Sequence, residues 1–197
     1  VSATTTGNGG KAVLWSDDYT DFAGSIFSRG GNTAGNGGFV EASGKNHLWA
    51  RGYVDTSAAK GARGLVLFDP VNFRVLNRGA VAGVYEATTA YFEGLNSDVL
   101  ITATNDITFD LTGDYMLLGS GYHFSADAGN DILSASNGSI ATQSTGNILL
   151  TAGNDINFAH DFDIAAAGGG SVTLHAGNSI LYSGAGDITT VNNVSAD

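Results

Sequence analysis

The chain has no cysteine, a single proline (Pro70) and one methionine in 197 residues. Disulfides and thiolate metal centres are therefore excluded as sources of stability. With so little proline, corners must be made another way, and glycine supplies the means with 29 residues, about twice its usual share. No run of about 18 apolar residues occurs, so no segment reads as a membrane-spanning helix and membrane insertion is not expected. Bases are missing from most of the chain: residues 1–78 hold all eight Lys and Arg with six Asp and Glu, whereas 79–197 hold thirteen acids and no base, for a total of −11. An acidic surface without a basic patch argues against nucleic acid and anionic membranes as partners. The chain begins at Val1 with no initiator methionine, basic n-region or apolar h-region, so a longer parent polypeptide is expected.

What is present in abundance is repetition. Asn105, Asn130, Asn154 and Asn178 stand 25, 24 and 24 residues apart. Two places after them come Ile107, Ile132, Ile156 and Ile180, and two places before them Ala103, Ala128, Ala152 and Ala176. Four and six places before, the columns read Ile101, Ala126, Leu150, Leu174 and Val99, Phe124, Ile148, Val172. Apolar residues thus alternate with polar ones, the period of a strand with one buried face. A further column, Ile140, Ile164 and Ile188, keeps the same spacing, so each repeat carries a second strand facing the same core.

A repeat of 20 to 50 residues marks a solenoid, in which each unit buries its apolar face only by stacking on its neighbours. Short strands and turns in each unit predict an all-β fold, a single-stranded parallel β-helix. Equivalent residues of successive coils then lie about 4.8 Å apart, and roughly eight coils would give a rod about 40 Å long with coil edges at both ends. The four asparagines are expected to form a structural ladder, amide to amide at a tight turn, with the four isoleucines stacked beneath them.

The first third repeats on a longer period. Gly7-Asn8-Gly9-Gly10 recurs as Gly35-Asn36-Gly37-Gly38, 28 residues on, and apolar runs such as Ala12-Val13-Leu14-Trp15 and Leu65-Val66-Leu67-Phe68 follow the glycine clusters. Between the two regimes, Tyr85, Thr88, Phe92 and Leu95 stand near helical spacing, with Gly94 and Asn96 as stop signals. The reading is one continuous solenoid: coils with longer glycine-rich loops over 1–78, a connector with one short helix near 84–95 over 79–98, and coils of about 24 residues over 99–197. The helix is expected to leave the rod and pack back on it.

The stretch Gly37-Gly38-Phe39-Val40-Glu41-Ala42-Ser43-Gly44-Lys45, then Gly52-Tyr53-Val54-Asp55, Gly61-Ala62-Arg63-Gly64 and Leu65-Val66-Leu67-Phe68-Asp69-Pro70-Val71-Asn72, resembles the filamentous haemagglutinin-like exoproteins in order and spacing. The resemblance starts near Gly9 and continues more loosely through Phe109. It implies a right-handed parallel β-helix, export of the parent through a partner outer-membrane transporter by two-partner secretion, and a place outside the cell or on the bacterial surface. The secretion domain with which such proteins engage the transporter is not among these residues, and Phe68 stands where leucine is usual before Asp-Pro.

Chemistry has few footholds. Asp17, Asp18 and Asp21 form the one tight acidic trio, with Lys11 and Arg29 as the nearest bases in sequence, and they read as solvated loop acids. Cleavage of a polysaccharide would need two differently tuned groups on one face. Asp161 and Asp163 beside His160 are oxygen-rich enough to suggest calcium, but the glycine-rich calcium nonapeptide is missing. His47, His123, His160 and His175 share no ligand spacing, so no metal or other cofactor is expected. Trp15 and Trp49 could offer sugars an aromatic platform, but both lie in apolar strand runs and are expected to pack in the core or at a rod end. Two functions follow. The first is a non-catalytic shaft segment of a large adhesin, projecting or assembling as a rod, with end-to-end self-association from its strand edges and with any glycan or host receptor unspecified. The alternative is an extracellular protein that binds or cleaves polysaccharide.

Overall fold

A computed structural model describes residues 1–190 and 194–196. The carboxyl-terminal limit of the third segment, residues 191–193 and 197, lies outside the described residues. The chain winds into seven coils. Coil 1 contains β1 (Lys11–Ser16), β2 (Tyr19–Phe22) and β3 (Ser25–Phe27); coil 2 contains β4 (Phe39–Gly44), β5 (His47–Ala50) and β6 (Tyr53–Asp55). Coil 3 contains β7 (Leu65–Asp69), β8 (Phe73–Leu76), β9 (Glu86–Thr88) and the single helix α1 (Thr89–Glu93). Coil 4 contains β10 (Asp98–Ala103), β11 (Ile107–Asp110) and β12 (Tyr115–Ser120); coil 5 contains β13 (Phe124–Ala128), β14 (Ile132–Ser134) and β15 (Gly138–Gln143). Coil 6 contains β16 (Ile148–Ala152), β17 (Asp155–Phe158) and β18 (Phe162–Ala166); coil 7 contains β19 (Val172–Ala176), β20 (Ser179–Tyr182) and β21 (Ile188–Thr190), and β22 (Val194–Ala196) starts the next turn.

Three strands per coil make three faces, and every pairing between coils is parallel. The first face is an uninterrupted sheet of eight strands in the order β1-β4-β7-β10-β13-β16-β19-β22. Its alternation is plain in β10, where Val99, Ile101 and Ala103 turn inward and the residues between them stay half-exposed. Register follows the repeat: Phe124 sits on Ile148 and Ile148 on Val172. On the second face Ile107, Ile132, Ile156 and Ile180 stack in one column. On the third, Ile140, Ile164 and Ile188 do the same. The core is the column these three inner faces enclose, and it carries seven fully buried phenylalanines.

The corners explain the glycine. Before Asn130, Asn154 and Asn178 stand Gly129, Gly153 and Gly177, and a Cβ at each would come within 2.2 Å of a carbonyl oxygen of the coil beneath. Gly35 goes further, with φ +122 and a hypothetical Cβ 1.8 Å from the Gly7 oxygen, so both backbone conformation and close approach require its missing side chain.

Coil 3 departs from the pattern. Leu65 pairs with Asp98, 33 residues on, and the surplus chain is used to fill two walls. Strand β9 folds back beside β8, on the side away from β11. Tyr85, at φ 64, donates its N–H to Leu48 O (2.8 Å) and accepts from Arg74 N–H (2.8 Å), joining the β2–β5 pair to the six-stranded part of the second face. Helix α1, capped by Thr88 Oγ1 accepting from the Tyr91 N–H, stands on the third face where the other coils have a strand. Asn96 closes the gap, donating to Val54 O (3.1 Å) and accepting from Thr56 N–H (2.9 Å).

The helix therefore does not leave the rod; it is a section of the wall. Phe92, 1 % exposed, points from it into the core and meets Phe68, Phe73 and Phe124 edge-on at 6.1, 6.1 and 6.4 Å. The helix is also shorter than the spacing of Tyr85 to Leu95 suggests. The open edges of β5 and β8 offer the backbone of Tyr85 to Thr88 hydrogen bonds that a first helical turn would leave unmade.

Candidate functional site

Two kinds of polar surface are built on this frame. The first is a set of ladders at the corners, in which a side chain of one coil accepts a backbone N–H from the next. At the asparagine corner the backbone runs in register, Asn130 N–H donating to Asn105 O (2.9 Å), Asn154 to Asn130 (2.9 Å) and Asn178 to Asn154 (2.8 Å). The amides do not bond to one another. Asn130 Nδ2 donates to Asp106 Oδ1 (2.8 Å), Asn154 Nδ2 to Asp131 Oδ1 (2.9 Å) and Asn178 Nδ2 to Asp155 Oδ1 (2.8 Å). The same carboxylates also accept the backbone N–H of Asp131 (3.2 Å) and of Asp155 (3.0 Å). An ionised carboxylate is the stronger acceptor and takes both donors at once, so it displaces amide-to-amide pairing. The residue after each asparagine, Asp106, Asp131, Asp155 and then Ser179, was the overlooked half of the motif, and its signal was in the sequence.

Similar devices hold other corners. Asp98 Oδ1 accepts the His123 N–H (2.9 Å), His123 Nδ1 the Asn147 N–H (2.9 Å), and Asn147 Oδ1 the Ser171 N–H (2.8 Å). Asn8 and Asn36 do this in the first coils, accepting from Asn36 N–H (2.8 Å) and Ala62 N–H (2.9 Å). Asp161 and Asp163, the calcium candidates, accept the backbone N–H of Ala185 (2.9 Å) and of Asp187 (2.8 Å). Among the described residues no three His, Cys, Asp or Glu side chains converge on a metal position. His160 and His175 lie exposed on separate strands or loops.

The second surface lies outside the second face of coils 1 to 3. Tyr19, 44 % exposed, is followed along the rod by His47 at 6.3 Å between ring centroids, and His47 by Tyr85 at 5.5 Å and an interplanar angle of 22°. Beside this column Arg51 covers the Trp49 ring at 4.5 Å and grips Asp21 with two hydrogen bonds of 2.9 and 2.6 Å. That contact holds the Asp21 carboxyl below its ordinary value. Asp18 accepts from Asn46 Nδ2 (3.2 Å) and lies 3.4 Å from His47 Nδ1. Past Tyr85 the surface dips into a pocket of about 260 Å³ lined by Asn72, Arg74, Glu86, Asp106 and Thr108 among others.

The chain matches no family model, no curated protein and no solved structure.

The tryptophans are not where the apolar runs placed them. Trp15 is 57 % exposed on the outer side of β1, because Ala12 and Leu14 take the inward phase of that run. Trp49 faces out between the buried Leu48 and Ala50. A run of consecutive apolar residues carries no phase, and only the coil above and below decides which parity turns inward. The acidic trio is divided, Asp21 engaged by Arg51 and Asp18 by Asn46 and His47. Of the bases near it in sequence, Arg29 pairs with Asp55 at 2.8 Å and Lys11 lies 5.0 Å from the Phe39 ring centroid.

Where the two periods meet, bases of the first part reach acids of the second. Arg74 bridges Glu86 and Asp110, and Arg78 contacts Asp114 (2.9 Å) and Glu93 (3.2 Å). Partial burial raises the Asp114 carboxyl, but hydrogen bonds from Thr89 Oγ1, the Arg78 backbone and guanidinium and the Tyr115 backbone outweigh it and hold the group at about 2.

Proposed function

We propose that this chain is a shaft segment of a large secreted or surface-exposed bacterial exoprotein of the filamentous haemagglutinin-like kind. It acts as a stiff spacer, exported as part of its parent through an outer-membrane transporter. Recognition of a receptor belongs to other segments or to surface loops, and coils of neighbouring rods stack end to end through their open strand edges.

One observation carries this reading. The eight strands of the first face stay in parallel register without a break, and at the corners of the later coils Asp106, Asp131, Asp161 and Asp163 each accept a backbone N–H from the next coil. A polypeptide organised in this way resists bending, since each coil is fixed to the next by backbone and side-chain hydrogen bonds together.

A spacer is replaceable by another of equal length. Exchanging residues 99–190 in the parent for an equal number of coils of unrelated β-helix sequence should leave the parent's display and adhesion unchanged, while deleting them should reduce its reach. Loss of adhesion on exchange, with export and folding intact, would overturn the reading. Electron microscopy and light scattering of the segment check the end-to-end contact.

A further inference from the structure

The outer surface of coils 1 to 3 has properties that a spacer does not need. Three aromatic rings, Tyr19, His47 and Tyr85, follow the rod axis one per layer. Their stacking contributes nothing to the core, which lies on the opposite side of β2 and β5. Among the described residues the hydroxyls of the exposed Tyr19 and the half-buried Tyr85 have no hydrogen-bond partner, so two polar tips remain at the edges of the rings. Tyr85 also holds a left-handed backbone, φ 64, which is costly for a bulky residue and places its ring against His47.

From this geometry we propose that the Tyr19–His47–Tyr85 column is a binding platform for an extended, neutral, β-1,4-linked hexose chain lying along the rod. The apolar faces of successive pyranose rings pack on the aromatic rings, while the ring hydroxyls meet the phenol oxygens and the Asp21 and Asp18 carboxylates alongside. The rings step by 6.3 and then 5.5 Å along the rod, of the order of one such sugar unit, so each ring meets about one sugar. Aromatic side chains suit this task because they combine an apolar body with a polar edge at small entropic cost. Local charge selects the neutral class. Arg51 is engaged by Asp21 and Arg74 by Asp110 and Glu86, and the Asp18 and Asp21 carboxylates flank the column, an arrangement that does not favour a polyanionic glycan.

The proposal stands apart from the shaft reading, since exchange of residues 99–190 leaves this surface in place. Cellohexaose titrated into the purified chain, followed by calorimetry and tryptophan fluorescence, tests it. Saturable binding that is insensitive to salt is expected, weakened about threefold to tenfold by Tyr19→Ala and again by His47→Ala. Both side chains lie outside the core, and the circular dichroism of each variant should match the parent. Tyr19→Phe keeps the ring and should lose less than Tyr19→Ala. Absence of saturable binding would overturn the proposal. So would binding that both alanine variants leave unchanged, or binding confined to a sulfated glycan and abolished by salt.

Discussion

Coils 1 and 2 and coils 4 to 7 solve the same stacking problem by different means. Coil 2 follows coil 1 by 28 residues, and these early coils are tied by ion pairs, the exposed Arg51–Asp21 and Arg29–Asp55 with its buried carboxylate, each a base and an acid matched across the structure. The later coils step by 25, 24 and 24 and contain no Lys or Arg. There, Asp106, Asp131 and Asp155 stand in one column, an arrangement of like charges that Coulomb's law disfavours. Each of the three accepts an asparagine amide from the next coil, and Asp106 and Asp131 accept a backbone N–H as well. The lesson is one of extensibility. A ladder of asparagine and aspartate completes itself with whatever coil follows, whereas ion pairs must be matched one by one, and exposed pairs stabilise by only about 0–1 kcal/mol. Coil 3 is the adaptor between these regimes, and the comparison is most easily broken there.

Phe92→Ala should have the largest effect. If α1 is a section of wall, removing the ring that fills the space between Phe68, Phe73 and Phe124 should cost about 3–5 kcal/mol, read from urea unfolding. A cost below about 1 kcal/mol, the range of ordinary surface changes, would make the helix peripheral after all. Next come the glycine corners of the early coils. Gly37→Ala places a methyl group 1.8 Å from Thr56 O and should cost about 2–3 kcal/mol. Gly24→Ala, which meets nothing within 4 Å, should stay within about 0.5 kcal/mol. Equal thermal midpoints for the two variants would refute the assignment of those corners to close backbone approach.

These contrasts also mark what the sequence could convey. The repeat of Asn105 to Asn178, with alternating apolar positions around it, was enough for the fold, since period two and a fixed spacing have one compact solution in a stack of strands. Coil 3 was not legible. Tyr85 to Leu95 has helical spacing, but the unfilled edges of β5 and β8 claim its first half, and that competition exists only once neighbouring coils are in place. The outer aromatic column was hidden for a related reason. Tyr19 and His47 are 28 residues apart, and Tyr85 joins them only through the fold-back of β9. The partner of the ladder asparagine was visible as the next residue in each repeat, but repetition alone suggested that like bonds to like.

Acid should sharpen the view of the adaptor. The Asp114 carboxyl sits at about 2 in the folded protein against an unperturbed 3.8, so the stability it contributes is complete above 3.8 and is lost as pH falls toward 2. Its contribution is about 2 kcal/mol. Asp110 and Asp55 are also lowered, in each case because hydrogen bonds and an arginine outweigh partial burial, and they act in the same window. Asp98 runs the other way. Burial raises its carboxyl against the His123 N–H and nearby positive charge, so acidification relieves a cost there. The net expectation is a thermal midpoint that falls steeply between pH 4 and 2. In Asp114→Asn the fall should be shallower, and a variant profile parallel to the parent's would rule out Asp114 as the main source.

The smallest effect is the most discriminating for the ladder. Asn154 Nδ2 donates to Asp131, but Asn105, the lowest of the four, has Asn72 beneath it in the aspartate position, and Asn72 Oδ1 receives the Asp106 N–H. Among the described residues the Asn105 side chain has no hydrogen-bond partner. Asn154→Ala should therefore cost about 1 kcal/mol, the ordinary worth of one hydrogen bond, while Asn105→Ala should cost almost nothing. An amide-to-amide column predicts otherwise, because there an interior rung has two neighbours and a terminal rung one, so both variants would lose stability. Chemical denaturation of the two variants under identical conditions separates these pictures, since only an asparagine–aspartate ladder leaves its first asparagine idle.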